Sequence, residues 1–448
     1  MVKVLIPCGA LGLGYDRAAL ARGVAEGPDI IAIDGGSTDS GAHYLGTGTS
    51  KYSRQSTKMQ WRELLEARQA AGVPLVIGTA GTCGADSAVD WLVDITREIS
   101  REAGMALKIA VLKSGQMPDD VVGAFKAGRI TPLDAAPEIS DQTIRSCTNI
   151  VALAGAEQVQ AALATGADVV IAGRTTDTAI IAALPLARGC HAGAAWHGAK
   201  VGECGAMATT NYGTGTIMAE FDKAGFTITP MATGVRATPR TVSAHMLYEN
   251  SDPYVLYEPG GHLDVRGAQY HALDDRRVQV TGSEWHVADR YTVKLEGARR
   301  AGFQVVSMVT IRDPHYVANV HAWCADVVEK CTAKARRETN GGFGIELRVI
   351  GADATLGALE NNERAGTEVG VTGIVTAEIE GLAMEVAKIL NPFLLHHPLT
   401  ENEEMPTFAF PFSPPEMPRG AIHEFCLNHV MELSDPMDAF RLSVIEVS

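Results

Sequence analysis

The 448-residue chain has no uncharged apolar stretch of about 18 residues or more, which argues against a membrane-spanning helix. Nor has it a run of lysine and arginine able to neutralise a phosphate backbone locally. With 38 basic residues against 53 acidic ones, a formal net charge of −15, it would repel a phosphate backbone, so nucleic acid is not an expected partner. Cysteine is sparse, at positions 8, 83, 147, 190, 204, 324, 331 and 426, unlike the dense disulfide framework of a small secreted domain. The start, "MVKVLIPCGALG", passes straight into a strand pattern without an apolar h-region or a small-residue cleavage site, so reduced thiols in a cytoplasmic protein are expected. No repeat recurs at solenoid periods. The first glycine turn is neither G-x-G-x-x-G nor a P-loop, so no nucleotide is expected.

What is present is ample apolar material: 46% hydrophobic and 20% charged residues suit two or three domains with a substantial core. In the first half, continuous apolar runs at 2–8, 29–34, 74–81, 107–115, 149–155 and 168–174 alternate with helical intervals. Runs without period-two alternation suit parallel strands covered on both faces. They predict an α/β fold with a doubly wound, mostly parallel sheet over 1–219 and a ligand crevice beyond the strands' carboxyl ends. After about residue 215 shorter strands and turns predict a second α+β domain at 220–400. The proline-rich 401–448 reads as an extended C-terminal segment.

Four strand ends carry polar turns. In "DVVIAGRTTDTAII", Arg174, Thr175 and Asp177 lie between a strand and a helix expected near Thr178, where the helix's positive end favours an anion. Arg174 is suited to a two-pronged carboxylate grip, and Asp177 to capping, base catalysis or metal ligation. "IPCGALGLGYDR" offers glycines, Gly12 among them, for close backbone approach. "IDGGSTDSGAHYLGTGTSKYSR" (33–54) reads as a long structureless binding loop or lid. In it Asp34 and Asp39 are candidate bases, Tyr44, Lys51 and Tyr52 candidate proton donors, and Ser37 and Thr38 candidate substrate contacts. "IGTAGTCGAD" places Thr79, Gly81 and Thr82 where backbone amides of 78–84 could cradle an oxyanion.

Elsewhere, "WHGAKVGECGA" sets Lys200 and Glu203 three apart on one helical face, a spacing that serves acid–base work or an ion pair. His262 and Asp264 share a strand face with Arg266 beyond. His321, Cys324 and Cys331 follow an apolar helical stripe and read as core, while the histidines at 396–397, 423 and 429 lack the second half of a zinc pattern.

The motifs "GLGYDRAALARG", "DIIAIDGGSTDSG" with "YLGTGTSKYSR", "PLVIGTAGTCGAD", "DVVIAGRTTDTAIIAALPLARG", Gly198 and Lys200 with Glu203 to Ala206, and "LYENSDPY…PGGHLDV…YTVKLEGA" together resemble the acyclic terpene utilization protein A family. The resemblance is to its short form, without a C-terminal ferredoxin-like domain. It implies a catabolic enzyme of acids or acyl chains working with a small companion subunit. The expected activity is that of a lyase, hydratase or ammonia-lyase in kind, on a small anionic carboxylate or its coenzyme A thioester. Asp34 or Asp39 would be the base, Lys51, Tyr44 or Lys200 the acid, and Arg174 with the amides of 78–84 the anion clamp. A divalent ion could be held by Asp34, Asp177 or Glu203. Two other readings stand beside it: a non-catalytic acyl-CoA- or acid-binding subunit, and a dinucleotide-dependent oxidoreductase. Homo-oligomerisation is also expected.

Overall fold

The computed structural model describes residues 1–361 and 365–448, which fall into two compact units, Met1–Arg299 with Phe425–Ser448, and Arg300–Glu424. In chain order the first unit begins with β1 (Val2–Ile6), β2 (Ile30–Asp34), β3 (Leu75–Gly78), β4 (Leu107–Lys113), β5 (Ile130–Pro132), β6 (Cys147–Ala152) and β7 (Val169–Ala172). It continues with β8 (Ile217–Phe221), β9 (Gly225–Pro230), β10 (Val255–Glu258), β11 (Gly261–Asp264), β12 (Gln269–Ala272), β13 (Val278–Thr281) and β14 (Glu284–Val287). Strands β1, β2, β3, β7 and β4 lie side by side in parallel as the centre of a ten-stranded sheet.

The apolar runs explain the parallel centre. Leu5, Ile31, Ile33, Ile77 and Ile109 point to one face, under helices Arg17–Ala25, Arg54–Ala71 and Asp86–Ala103. Val4, Ile6, Ala32, Val76 and Val170 point to the other, under helices Ala156–Ala164, Ala179–Ala187 and Ala192–Gly202. Burial on both faces leaves no place for polar alternation. The last of these helices is buried from Gly193 to Gly202. It presses onto the sheet where Gly198 has no side chain, since a Cβ there would sit 2.4 Å from the Phe221 ring.

Antiparallel strands extend both edges: β8, β9, β13 and β12 continue outward from β1, and β19 (Arg441–Val447) pairs with β4. A small sheet of β10, β11 and β14 belongs to the same unit. The compact units therefore divide elsewhere than at 219/220 and 400/401, because the segments after 216 complete the first sheet and the C-terminal strand returns to it. The run at 149–155 also has a different partner from the one expected. It forms β6, which pairs antiparallel with Leu295–Arg299 of β15 (Tyr291–Ile311) rather than joining the parallel centre. An apolar run fixes burial but not the neighbour.

In the second unit, Phe303–Ile311 of β15 pairs with β17 (Val369–Ala377), which pairs with β16 (Phe343–Ile350). Helices Val320–Glu338 and Glu380–His396 cover one face of this antiparallel sheet, an α+β arrangement. Asp313 caps the short helix Pro314–Ala318 that precedes them, with Pro314 at its first position. Cys324 and Cys331 are core, but His321 is exposed; Trp323 and Val327 complete the stripe instead. Of the remaining strand, β18 (Met417–Leu433), the residues His429–Met431 pair with β5 in the first unit.

Candidate functional site

Neighbouring parallel strands end at one rim, so the turns after β1, β2, β3 and β7 meet there. A cavity of about 610 Å³ lies among them. Its walls include Cys8 and Gly14 from the first turn, Asp34, Ser37, Asp39, Lys51 and Tyr52 from the second, and Thr82 from the third. Asp177 follows β7, and Glu203 with Cys204 follows the buried helix Ala192–Gly202. A hollow of about 470 Å³ shares Ser37, Asp39, Asp177, Glu203 and Glu249 with it and adds Arg174, Lys200 and Glu258.

Arg174 does not stand free. Its Nε donates to Glu296 Oε2 at 3.1 Å, its Nη1 donates to Thr79 Oγ1 at 3.2 Å and to the Thr175 carbonyl at 3.0 Å, and Nη1 lies 3.5 Å from Asp177 Oδ1. Lys294 and Thr38 complete the cluster by donating to Glu296 at 2.9 and 3.0 Å. Burial alone would raise the Glu296 carboxyl, yet Arg174 and Lys294 hold it down at about 2. The arginine expected to clamp a substrate anion is thus engaged by the chain's own carboxylates. The helix after β7 begins at Ala179, its amide capped by Thr176 Oγ1 at 3.2 Å. Beside it, the Thr178 hydroxyl donates to Glu258.

Much of the cradle expected at 78–84 is likewise engaged by the chain itself. The amides of Thr79, Thr82 and Gly84 donate to the carbonyls of Gly173, Thr79 and Ala80. Thr79 and Thr82 take φ of +47° and +69°, a conformation that costs a β-branched residue on the order of 1–3 kcal/mol. Side-chain bonds hold them there: Thr79 Oγ1 accepts from Arg174, and Thr82 Oγ1 accepts the Lys51 amide at 3.1 Å. Thr79, Gly81 and Thr175 are buried behind the cavity wall, and Thr38 is committed to Glu296. Gly12 has φ of +114°, and a Cβ would stand 2.6 Å from the Tyr52 ring, so this glycine makes room for Tyr52 rather than for a ligand. Tyr44 packs against the small cluster around Leu45, Cys83 and Val151, away from the cavity. The segment 33–54 is not structureless, for it contains a 3-10 turn at Thr38–Ser40 and a helix at Ala42–Thr47.

Other side chains are left with unused capacity. Asp34 is 6% exposed; its Oδ2 accepts the Gly36 amide at 3.0 Å, while Oδ1 has no partner. Burial first, and the neighbouring Asp177 charge second, push its pKa well above the ordinary value. Burial raises Asp177 too, against the pull of Arg174. Lys200 Nζ donates to Glu203 Oε1 at 2.5 Å inside the protein. Burial still pushes Glu203 up to about 8, since Asp177 and Glu258 oppose what Lys200 supplies, and Glu258 rises to about 7. Burial works against the Lys200 ammonium, but Glu203 outweighs it and holds the lysine's pKa above its ordinary value. Lys51, whose Nζ donates to Ser40 Oγ at 2.9 Å, lines the same cavity.

Tyr248, Glu249 and Glu258 were given no role by the sequence, nor were His245 and Glu296. Tyr248 and Glu249 lie in "LYENSDPY" and Glu296 in "YTVKLEGA", so the motifs pointed to them without giving a task. Asp264 pairs with Arg266 at 2.9 Å on the surface and His262 stacks on His286; neither lines the cavity.

Residues 39–399 match the family model described as acyclic terpene utilisation family protein AtuA. No curated protein and no solved structure is detectably similar to the chain. The matched span includes Lys51, Asp177, Lys200, Glu203 and Glu258 of the cavity walls, while Cys8 and Asp34 precede it. Extending over well more than half of the 448 residues, that match makes the chain a member of the acyclic terpene utilisation family.

Proposed function

We propose that the chain is a lyase, eliminating water or ammonia from a small carboxylate or its acyl-CoA thioester. The observation that carries this reading is the unpartnered Oδ1 of Asp34, whose side chain lines the same cavity as Glu203, the partner of Lys200. Elimination needs a base on one side of a carbon–carbon bond and an acid on the other. Asp34 takes the proton beside the carbonyl, and the electrons of that C–H bond form the new double bond. As the carbon–oxygen or carbon–nitrogen bond breaks, the Lys200–Glu203 pair protonates the departing oxygen or nitrogen. A carboxylate whose pKa is raised by burial is a stronger base than an ordinary aspartate, which favours the first step. Since Arg174 is engaged, Lys51 is the lining cation assigned to the substrate's carboxylate. We also place the activity in the cytoplasm, in a homo-oligomer with a small companion subunit.

The test supplies β-hydroxy and β-amino carboxylates and their thioesters in deuterated water, with and without the co-expressed companion. Solvent deuterium should enter the carbon beside the carbonyl as an unsaturated product forms. Asp34→Asn should lower that exchange by about 10²–10⁴-fold, and Lys51→Met should chiefly raise KM. No exchange with any member of the panel, or full exchange in Asp34→Asn, removes the proposal.

A further inference from the structure

One corner of the cavity brings together three side chains of metal-binding chemistry. Glu203 and Cys204 leave the end of helix Ala192–Gly202, and His245 opens the turn His245–Leu247. One donor atom from each lies within 4.8 Å of the other two. His245 is 4% exposed, yet its Nε2 has no hydrogen-bond partner and stands 4.0 Å from Glu203 Oε1. A buried ring nitrogen without a partner is costly unless something else occupies it. Glu203 and Cys204 also line the large cavity, so a group held here would open onto it.

We propose that Glu203, Cys204 and His245 form a binding site for one divalent cation of the zinc class. A thiolate, an imidazole and a carboxylate are a borderline donor set, suited to zinc rather than to magnesium or calcium, which take oxygen alone. Three protein ligands leave the fourth tetrahedral position facing the cavity, the arrangement of an open site rather than a sealed structural one. Ligand atoms around zinc stand roughly 3.3–3.8 Å apart, so closing the site needs a contraction of at most about 1.5 Å. The side chains are prepared for it. Burial, reinforced by the Lys200 charge, keeps His245 neutral with a pKa near 4, the form that ligates. Burial and the Glu203 charge raise the Cys204 thiol, so the cation must displace its proton. Glu203 can keep one oxygen on Lys200 and turn the other to the ion. The site shares its cavity with the proposed lyase but is read from metal occupancy, so either reading can fail without the other.

The experiment uses the whole purified chain, stripped with a chelator and titrated with cobalt(II) and then zinc. One equivalent of cobalt should bind with a thiolate-to-metal charge-transfer band in the near ultraviolet, and zinc should displace it. Cys204→Ser should abolish the band, and His245→Gln should weaken cobalt binding by about tenfold or more, with unchanged circular dichroism in both. Affinity should rise with pH, by about tenfold per unit for each ligand proton the cation displaces. Absence of the band, its survival in Cys204→Ser, its loss in Cys8→Ser, or affinity independent of pH would each overturn the assignment.

Discussion

Glu296 and Glu203 are both almost fully buried at the same rim, and each accepts a hydrogen bond from a lysine, yet their protons behave oppositely. Glu296 is held at about 2, Glu203 raised to about 8. The difference is in the number of donors and the neighbouring charge. Glu296 accepts from Arg174, Lys294 and Thr38, which repays its loss of water. Glu203 accepts from Lys200 and faces Asp177 and Glu258, which repel its charge. The first carboxylate is structural ballast for the rim; the second remains able to take and release a proton near neutrality.

The comparison breaks most sharply at Arg174. Arg174→Met leaves Glu296 and Asp177 without their shared cation and should destabilise the chain by about 3–5 kcal/mol, seen as a lower denaturant midpoint. A midpoint shift below about 1 kcal/mol would show that the Glu296 cluster does not hold the rim. A smaller effect, of opposite sign in pH, belongs to Glu203. Its folded pKa is raised, so its contribution is fully present below about 4.5 and fades as pH rises toward 8, whereas that of Glu296 persists at neutral pH and is lost only as pH falls from about 4.5 toward 2. Glu203→Gln should therefore flatten the decline in stability between pH 5 and 8, gaining about 1–3 kcal/mol at the upper end. A decline of unchanged slope would assign the raised proton elsewhere. Least of all should come from Arg266→Ala, since its 2.9 Å bridge to Asp264 lies in solvent and is worth about 0–1 kcal/mol.

The parallel centre was legible because strands such as Ile30–Asp34 are apolar at every position before their last, a pattern imposed by helices on both faces. The meeting of polar turns at one rim followed from that topology. What sequence could not show was which of those turns had already been spent. Arg174 looks free until Glu296, 122 positions later, is placed against it. Thr178 likewise waits for Glu258, 80 positions on. Strand β6 was recognised as a strand but assigned to the wrong sheet, since its partner β15 lies more than 100 residues away in the chain. His245 gave no signal at all, for a single histidine between apolar residues reads the same whether its ring nitrogen is satisfied or waiting. His197, whose two nitrogens meet Ser283 and Tyr270, is the satisfied case.

The bare backbone at Gly198 has a further consequence. Because no side chain separates that turn of helix from the Phe221 ring, helix backbone packs directly on a fully buried aromatic ring of the sheet. Two residues further on comes Lys200, then Glu203 and Cys204, and all three are positioned by that contact. The opposing wall is built from loops, so this wall of the cavity is the one tied directly to the sheet.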